Sequence, residues 1–317
     1  MRQVKKRVFQ VLKNVEVTDA GSEGQSVARV NDKVIFIKGA VPGDIVDVQL
    51  TKKKNNYAEG RAIDIHKFSD KRATPVCEHF GVCGGCKWQN MNYESQLFYK
   101  HKQVSDALRR IGKIDVTIMP AVLASKATLH YRNKLEYTFS NKKWLTQEQI
   151  DDKGNVFSNS AGSPNSRNGL GFHIPGAFDK VLDVNKCYLQ DDLSNKIRLE
   201  IKSYALKNGL EFFDIREQKG LLRNLIVRNT SLGEWMVVVI FFKEDEANKK
   251  MLDHVQSAFK EITSLMYVIN PKKNDVISDL EVHLHSGKDH ITEQLEELKF
   301  KVGPKSFFQT NTAQALE

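Results

Sequence analysis

Four cysteines constrain the fold of this 317-residue chain more than any other feature. Cys77, Cys83 and Cys86 form a cluster in the sequence, and Cys187 follows about a hundred residues later. Four cysteines are too few for a secreted disulfide scaffold of this length, and clustered thiols in a reducing compartment are more often metal ligands. A metal bound by all four would join distant segments and stabilise the fold directly.

Two kinds of metal centre fit four thiols. Zinc and an iron–sulfur cluster both accept a set of four cysteines. Structural zinc usually shows two closely spaced pairs, whereas three clustered cysteines with a remote fourth are common for iron–sulfur clusters. Gly84 and Gly85 separate the last two clustered cysteines and allow backbone amides to turn inward. The spacing favours the cluster, with zinc as the alternative.

The basic charge of the chain is concentrated in its first half. Residues 1–149 contain 26 Lys and Arg against 15 Asp and Glu, and residues 150–317 contain 22 against 24. Such a surplus is expected for a polyanion partner such as RNA, although a basic surface that only aids solubility is the alternative. No segment resembles a membrane span or a signal peptide, so a cytoplasmic location is expected.

Short alternating segments separated by turn residues fill the N-terminal region. Five candidate strands in residues 1–72 predict a small OB-like five-stranded β-barrel. The loop "TKKKNNY" places three lysines and a tyrosine at a hairpin tip, where cations reach phosphates and a ring stacks on an unpaired base. Protection of a strand edge by charge is the alternative. The predicted RNA contacts here are Lys52, Lys53, Lys54 and Tyr57.

A helix is predicted from Tyr93 to Ile111, with Asn92 as its cap, Gly112 as its end and an apolar face that includes Val104. Strand and helix patterns then alternate, which predicts a multidomain α+β chain whose central domain has a mostly antiparallel sheet. A long polar surface loop is expected at residues 141–168. Two further helices are predicted, at Leu193–Asn208 and Glu246–Ile262.

Several segments together resemble a known family. The stretch "GQSVARVNDKVIFIKGAVPGDIVDVQL" resembles a TRAM domain. With "CEHFGVCGGCKWQ", "YRNKLEYTF" and "VGPKSFFQTNTAQALE", the chain is similar throughout to the RNA (uracil-5-)-methyltransferase family, especially its ribosomal-RNA branch. The resemblance implies methylation of uridine C5 in 23S ribosomal RNA from S-adenosylmethionine, by a monomer. The alternatives are a tRNA enzyme of this family and a metal-stabilised RNA-binding adaptor without catalysis.

The resemblance also implies roles for individual residues. Cys77, Cys83, Cys86 and Cys187 would hold a [4Fe–4S] cluster. Gln309 would contact the methyl donor and Phe307 the extruded base, while Arg132 and Lys134 would face RNA. Residues 1–72 would be the TRAM barrel, 73–298 the central domain, and 299–317 the start of a truncated methyltransferase domain. Because all four thiols are then ligands, none remains as a nucleophile, and the chain alone is expected to be inactive.

Arg223 and Arg228 form a second pair of candidate RNA contacts. A spacing of five residues places them on opposite faces of a strand, so at most one is expected to reach RNA.

Overall fold

The computed structural model describes residues 9–145, 150 and 167–317. The chain divides into two compact units, a first unit of Met1–Gly81 with Cys86–Ala124 and a second unit of Val82–Gly85 with Ser125–Glu317. The domain limits predicted from the sequence, at residues 72 and 298, stay predictions. The predicted polar loop at 141–168 lies mostly outside the described residues.

The first unit contains a six-stranded sheet with the order β1-β5-β6-β4-β3-β2. Strands β4 and β6 run parallel, and the other neighbouring pairs are antiparallel. Alternate residues of the strands point into a core of small and β-branched side chains such as Ala28, Ile35 and Val48. The strands are β1 (Val11–Glu16), β2 (Asp19–Ala20), β3 (Ser26–Val30), β4 (Lys33–Lys38), β5 (Ile45–Lys53) and β6 (Tyr57–Lys67).

The predicted count of five strands was wrong by one. The five predicted segments are β1, β3, β4, β5 and β6, and the additional strand β2 pairs with Ser26 and Val27. A two-residue strand is too short to show an alternating pattern. Val17 and Thr18 join β1 to β2, and their amides donate to the carbonyls of Asp44 and Val27, each at 2.9 Å. The two residues that join β1 to β2 are therefore themselves hydrogen-bonded to the main chain of other segments of this unit.

Helix α1 (Tyr93–Arg110) completes the first unit. The predicted start and cap are confirmed, since the Asn92 side chain accepts a hydrogen bond from the third amide beyond it at 2.9 Å, and the helix ends one residue before the predicted Ile111. The predicted apolar face of Leu97, His101, Val104, Leu108 and Ile111 is covered only in part. Leu97, His101 and Leu108 are half-buried, whereas Val104 is 51% exposed and Ile111 is 84% exposed. The helix packs through Tyr99, in a small cluster with Ala20 of β2.

The second unit is built on a seven-stranded sheet with the order β13-β12-β11-β10-β7-β8-β9. Among its described residues, β11 and β12 run parallel and every other neighbouring pair is antiparallel. The strands are β7 (Lys134–Ser140), β8 (Gly169–Ile174), β9 (Ala177–Asp183), β10 (Leu222–Asn229), β11 (Trp235–Phe241), β12 (Ile262–Ile269) and β13 (His283–Gly287).

Helices α2 (Asp192–Lys207) and α3 (Glu246–Ala258) cover one face of this sheet. Each begins after an aspartate, Asp191 or Asp245, whose side chain accepts a hydrogen bond from a first-turn amide. Both predicted helices are present, although α3 ends before the predicted Ile262, where strand β12 begins. None of the helices in the described residues is both long and apolar enough to cross a lipid bilayer.

A hairpin covers the opposite face of the sheet. It consists of β14 (Ile291–Leu295) and β15 (Leu298–Val302), and the short helix α4 (Thr312–Leu316) follows. Strand β11 contributes alternate residues to two hydrophobic clusters, one under the helices and one under the hairpin. Burial on both faces explains why its sequence, "WMVVVIF", is continuously apolar.

Candidate functional site

The four cysteines are distributed over both units, with Cys77 and Cys86 in the first and Cys83 and Cys187 in the second. In the first unit, the amide of Cys77 donates to Oε1 of Gln89 at 3.2 Å. In the second, the amide of Gly85 donates to Sγ of Cys83 at 3.4 Å. Backbone amides directed at sulfur favour the thiolate form that binds metal.

Gly84 allows the segment Val82–Gly85 of the second unit to lie close to that unit's own sheet. A Cβ at Gly84 would stand 3.1 Å from Cγ of Pro175, in the turn between β8 and β9. The neighbouring Cys83 packs against the hydrophobic cluster to which Cys187 belongs. Two of the four thiols therefore border the same core.

One side chain fixes the backbone of Cys187, which lies between β9 and α2. The amide of Cys187 donates to Oδ1 of Asn195 at 2.9 Å, and its carbonyl accepts from Nδ2 of the same asparagine at 3.0 Å. Asn195 is itself buried on α2. The helix thereby holds Cys187 in one main-chain position, with the thiol buried at the core.

A fully buried cation, Arg198, lies beside this cysteine. Its guanidinium donates to the carbonyls of Val184 and Asn185, and at 3.3 Å to Oδ1 of Asn195. The guanidinium carbon lies 5.3 Å from the ring centroid of Tyr137. Burial lowers the pKa of Arg198 and raises the pKa of Tyr137. Among the described residues, no carboxylate forms an ion pair with Arg198.

Among the described residues, one group of three potential metal-binding side chains has its ligand atoms within 4.8 Å of one another, and it contains no cysteine. It consists of Asp47, Asp64 and His66 in the first unit. The Asp47 carboxylate already accepts from Lys13 at 2.5 Å and contacts His66 at 2.8 Å. These two partners hold the pKa of Asp47 well below its usual range. The group is therefore a closed ion-pair network.

The C-terminal residues 303–312, called here the SFFQTN segment, present two of the predicted site residues at the surface. Phe307 is 86% exposed, and Gln309 is exposed as well. Phe308 between them is half-buried against the hairpin cluster, with its ring centroid 5.9 Å from that of Phe300. The segment therefore has an inward anchor flanked by two outward side chains.

Three buried polar residues hold this segment. Arg228 donates through Nη1 to the carbonyls of Gly303 and Ser306, each at 2.9 Å. Asn133 donates through its side chain to the Gln309 carbonyl at 2.7 Å and to the Thr312 hydroxyl at 2.9 Å. The same hydroxyl donates to Glu293 at 2.8 Å. The backbone beside Phe307 and Gln309 is thus set by side chains from elsewhere in the unit.

Sequence reasoning missed these three anchors. For Glu293 the sequence did contain a signal. Side chains two residues apart in a strand lie on the same face, so Glu293 shares a face of β14 with Ile291, and that face is buried. Arg228 was considered as an RNA contact together with Arg223. Both are in the interior, 2% and 1% exposed, so neither reaches the surface. Asn133 gave no signal of its own.

The predicted lysines lie at the tip of the β5–β6 hairpin, and Lys52, Lys53 and Lys54 are all exposed there. Lys52 pairs with Glu59 at 2.7 Å, and this hydrogen bond raises the pKa of Lys52. The Tyr57 ring is half-buried and meets the ring of Phe36 edge-on at 5.8 Å, so it is less accessible than predicted. Of the three exposed lysines at this tip, Lys53 and Lys54 are therefore the two that do not pair with Glu59.

Arg132 and Lys134 flank Asn133, which places them next to the SFFQTN segment. Nε of Arg132 donates to the Lys134 carbonyl at 3.0 Å, and Lys134 pairs with Glu136 at 2.6 Å. Both side chains are half-buried. The second unit therefore brings the predicted RNA contacts and the predicted donor contact into one region.

The N-terminal strands correspond to a known domain. Residues 5–63 match the TRAM domain model. This TRAM domain covers β1 to β5 and most of β6, and its hairpin tip carries the exposed lysines.

Relatives align with nearly the whole chain, beyond the TRAM domain. An uncharacterized RNA methyltransferase from Bacteroides thetaiotaomicron is 52% identical over 298 residues, covering 93% of this chain and 64% of the relative. One from Porphyromonas gingivalis is 50% identical, covering 96% of this chain and 65% of the relative. The chain thus spans slightly less than two thirds of the length of these curated relatives.

A solved structure shares the fold. It is the crystal structure of Pyrococcus abyssi tRNA (uracil-54, C5)-methyltransferase in complex with S-adenosyl-L-homocysteine. The TM-score is 0.64 at 21% sequence identity, with 96% of this chain and 62% of that chain covered. The mixed α+β fold of this chain is therefore shared, over 96% of its length, with a protein of known structure.

Proposed function

We propose that this chain supplies the RNA-binding and donor-contacting part of an S-adenosylmethionine-dependent RNA (uracil-5-)-methyltransferase that acts on 23S ribosomal RNA. The observation that carries the proposal is the SFFQTN segment. It exposes Phe307 and Gln309 on a backbone anchored by buried side chains. An exposed aromatic ring held in this way has no role in the core. The similarity to RNA methyltransferases over more than nine tenths of the chain supports the same function.

The chemistry of the reaction explains the need for such a segment. Uracil C5 is a weak nucleophile, so a thiolate first adds to C6 and makes an enolate that attacks the methyl group. S-adenosylhomocysteine is the leaving group of this transfer. A carboxylate then removes the proton from C5, and the thiolate leaves C6 as the C5–C6 double bond forms again. The base must also leave its stack, and a free aromatic face stabilises it outside the helix. We assign that stacking role to Phe307 and a polar contact with the methyl donor to Gln309.

RNA is the proposed partner of the TRAM domain and of the adjoining basic region. Lys53 and Lys54 are exposed at a hairpin tip, where their ammonium groups can approach phosphates. In the second unit, Arg132 and Lys134 flank the anchor of the SFFQTN segment. Phosphate contacts in both units would position the target uridine without reading its sequence. We place the protein in the cytoplasm as a monomer.

We propose that Cys77, Cys83, Cys86 and Cys187 hold a [4Fe–4S] cluster. Two local features fit a thiolate-bound anionic group, namely the Gly85 amide on Sγ of Cys83 and the buried Arg198 cation beside Cys187. When bound, the cluster would supply a covalent link between distant segments. With all four thiols occupied, the nucleophile is not among them, and no methyl transfer is expected from this chain alone.

Mapping of 5-methyluridine in cells that lack the gene whose product contains this chain tests the function. We expect one position in 23S ribosomal RNA to lose its methyl group, and the wild-type gene to restore it. A gene carrying Phe307→Ala should fail to restore it, while one carrying Lys207→Ala, an exposed change on α2, should succeed. Loss of the methyl group from tRNA instead would identify a tRNA enzyme. Unchanged 5-methyluridine in both RNAs would refute the methyltransferase assignment.

A further inference from the structure

Arg198 is a buried cation with an unusual set of partners. Its side chain has no exposed surface, and its described acceptors are the carbonyls of Val184 and Asn185 and the amide oxygen of Asn195. The nearby carboxylate of Asp183 is already paired with Lys202 at 2.5 Å. Nε of Arg198 is buried without a hydrogen-bond partner. An interior charge usually has a counterion, because an isolated ion in a medium of low polarity is costly.

The geometry points to Cys187 as the source of the missing negative charge. Oδ1 of Asn195 accepts from the amide of Cys187 at 2.9 Å and from Nη2 of Arg198 at 3.3 Å. One oxygen atom therefore accepts from both the main-chain amide of Cys187 and the guanidinium of Arg198. A protonated thiol carries no charge, whereas a metal-bound thiolate does.

We propose that Arg198 is a positioning residue for the metal centre at Cys187, where its buried charge compensates the negative charge of the thiolate-bound cluster. The inference rests on the proposed cofactor and assigns a role to a residue outside the ligand set. Burial is the main cause of the lowered pKa of Arg198. Residues that surround the ligands commonly set both the affinity and the reduction potential of a centre.

Arg198→Met tests this role, since methionine removes the charge and retains much of the volume. Lys196→Met on the same helix is the matched control, because it removes an equal charge from an exposed position two residues away. Arg198→Lys keeps the charge without the guanidinium hydrogen bonds. Each protein is purified without oxygen, and three quantities are measured: iron and sulfide per chain, the rate of iron loss to a ferrous chelator, and the midpoint potential of the cluster.

We expect Arg198→Met to lose iron about tenfold faster or more, in line with the effect of residues around metal ligands. Its midpoint potential should fall, because reduction adds negative charge where a positive charge was removed. Lys196→Met should match the wild type, and Arg198→Lys should lie between. Asn195→Asp adds a negative charge between Cys187 and Arg198 with almost no change in size, and it should lower the potential even if Arg198→Met does not fold.

The outcomes separate this inference from the proposed cofactor. A wild-type chain that contains zinc, or no metal, would refute the cluster and this role with it. A wild-type chain with a full cluster whose iron loss and potential are the same in Arg198→Met and Lys196→Met would overturn the role of Arg198 and leave the cluster assignment intact. The same holds if Asn195→Asp leaves the potential unchanged.

Discussion

Removing the Asn133 side chain should loosen the SFFQTN segment without unfolding the second unit. Asn133→Ala deletes the hydrogen bonds to the Gln309 carbonyl and to the Thr312 hydroxyl. It retains the main-chain bond from the Asn133 amide to the Thr310 carbonyl at 2.8 Å. Two side-chain hydrogen bonds at about 1 kcal/mol each give a loss of about 2 kcal/mol. The buried Oδ1 has no partner, so its removal adds no cost.

Hydrogen exchange measured by mass spectrometry gives the local opening free energy of peptides that span residues 303–312. A loss of about 2 kcal/mol corresponds to roughly thirtyfold faster exchange there if this segment opens on its own. Strands β10 and β11 should keep their wild-type protection. Asn208→Ala, which removes one exposed side-chain hydrogen bond at the end of α2, is the matched control and should leave the segment unchanged. Equal exchange of residues 303–312 in both variants would show that Asn133 does not anchor them.

Three further predictions concern charge, surface and core. Burial would raise the pKa of Asp214, but Lys142 and neighbouring hydrogen bonds lower it from 3.8 to about 2. The ionised carboxylate therefore contributes about 2 kcal/mol to the free energy of unfolding above pH 4, and this contribution is lost as the pH falls toward 2. Asp214→Asn should remove that pH dependence from thermal unfolding, and exposed Asp32→Asn should not. Lys53→Ala and Lys54→Ala should each weaken binding to RNA of any sequence and reduce the slope of log affinity against log salt concentration by about 1. A slope equal to that of Lys207→Ala would contradict a phosphate contact by these lysines. Phe308→Ala should lower the unfolding free energy by about 2 kcal/mol, whereas exposed Phe307→Ala should leave it within about 0.5 kcal/mol; equal losses in denaturant titrations would refute the inward and outward assignment.

Local patterns predicted the elements of this fold well. Turn residues delimited β1, β3, β4, β5 and β6, and the cap at Asn92 located the start of α1. The apolar pattern along α1 did not predict which side of the helix is covered. Ile111 belongs to the apolar stripe and is exposed, whereas Tyr99 is buried. The stripe shows which residues are apolar, but the position of the neighbouring sheet decides which of them are covered.

The candidate site was predictable only in part. Phe307 and Gln309 stand in a recognisable stretch, and their exposure agrees with a role at the surface. Arg228, which sets their positions from strand β10, was not predictable as an anchor, because a charged side chain in a strand is normally expected to face water. Arg228 is buried because carbonyl groups of a remote segment replace that water.

The choice of carbonyl groups as partners has an evolutionary consequence. Arg228 binds the main chain of Gly303 and Ser306, and Arg223 binds that of Asn270 and Lys272. Arg228 thus specifies the path of its loop through main-chain carbonyls alone, whereas Arg223 also pairs with the Asp275 carboxylate of its loop at 2.9 Å. Homologues can therefore exchange side chains in the loop that Arg228 holds, while this arginine and the backbone that it binds stay the same.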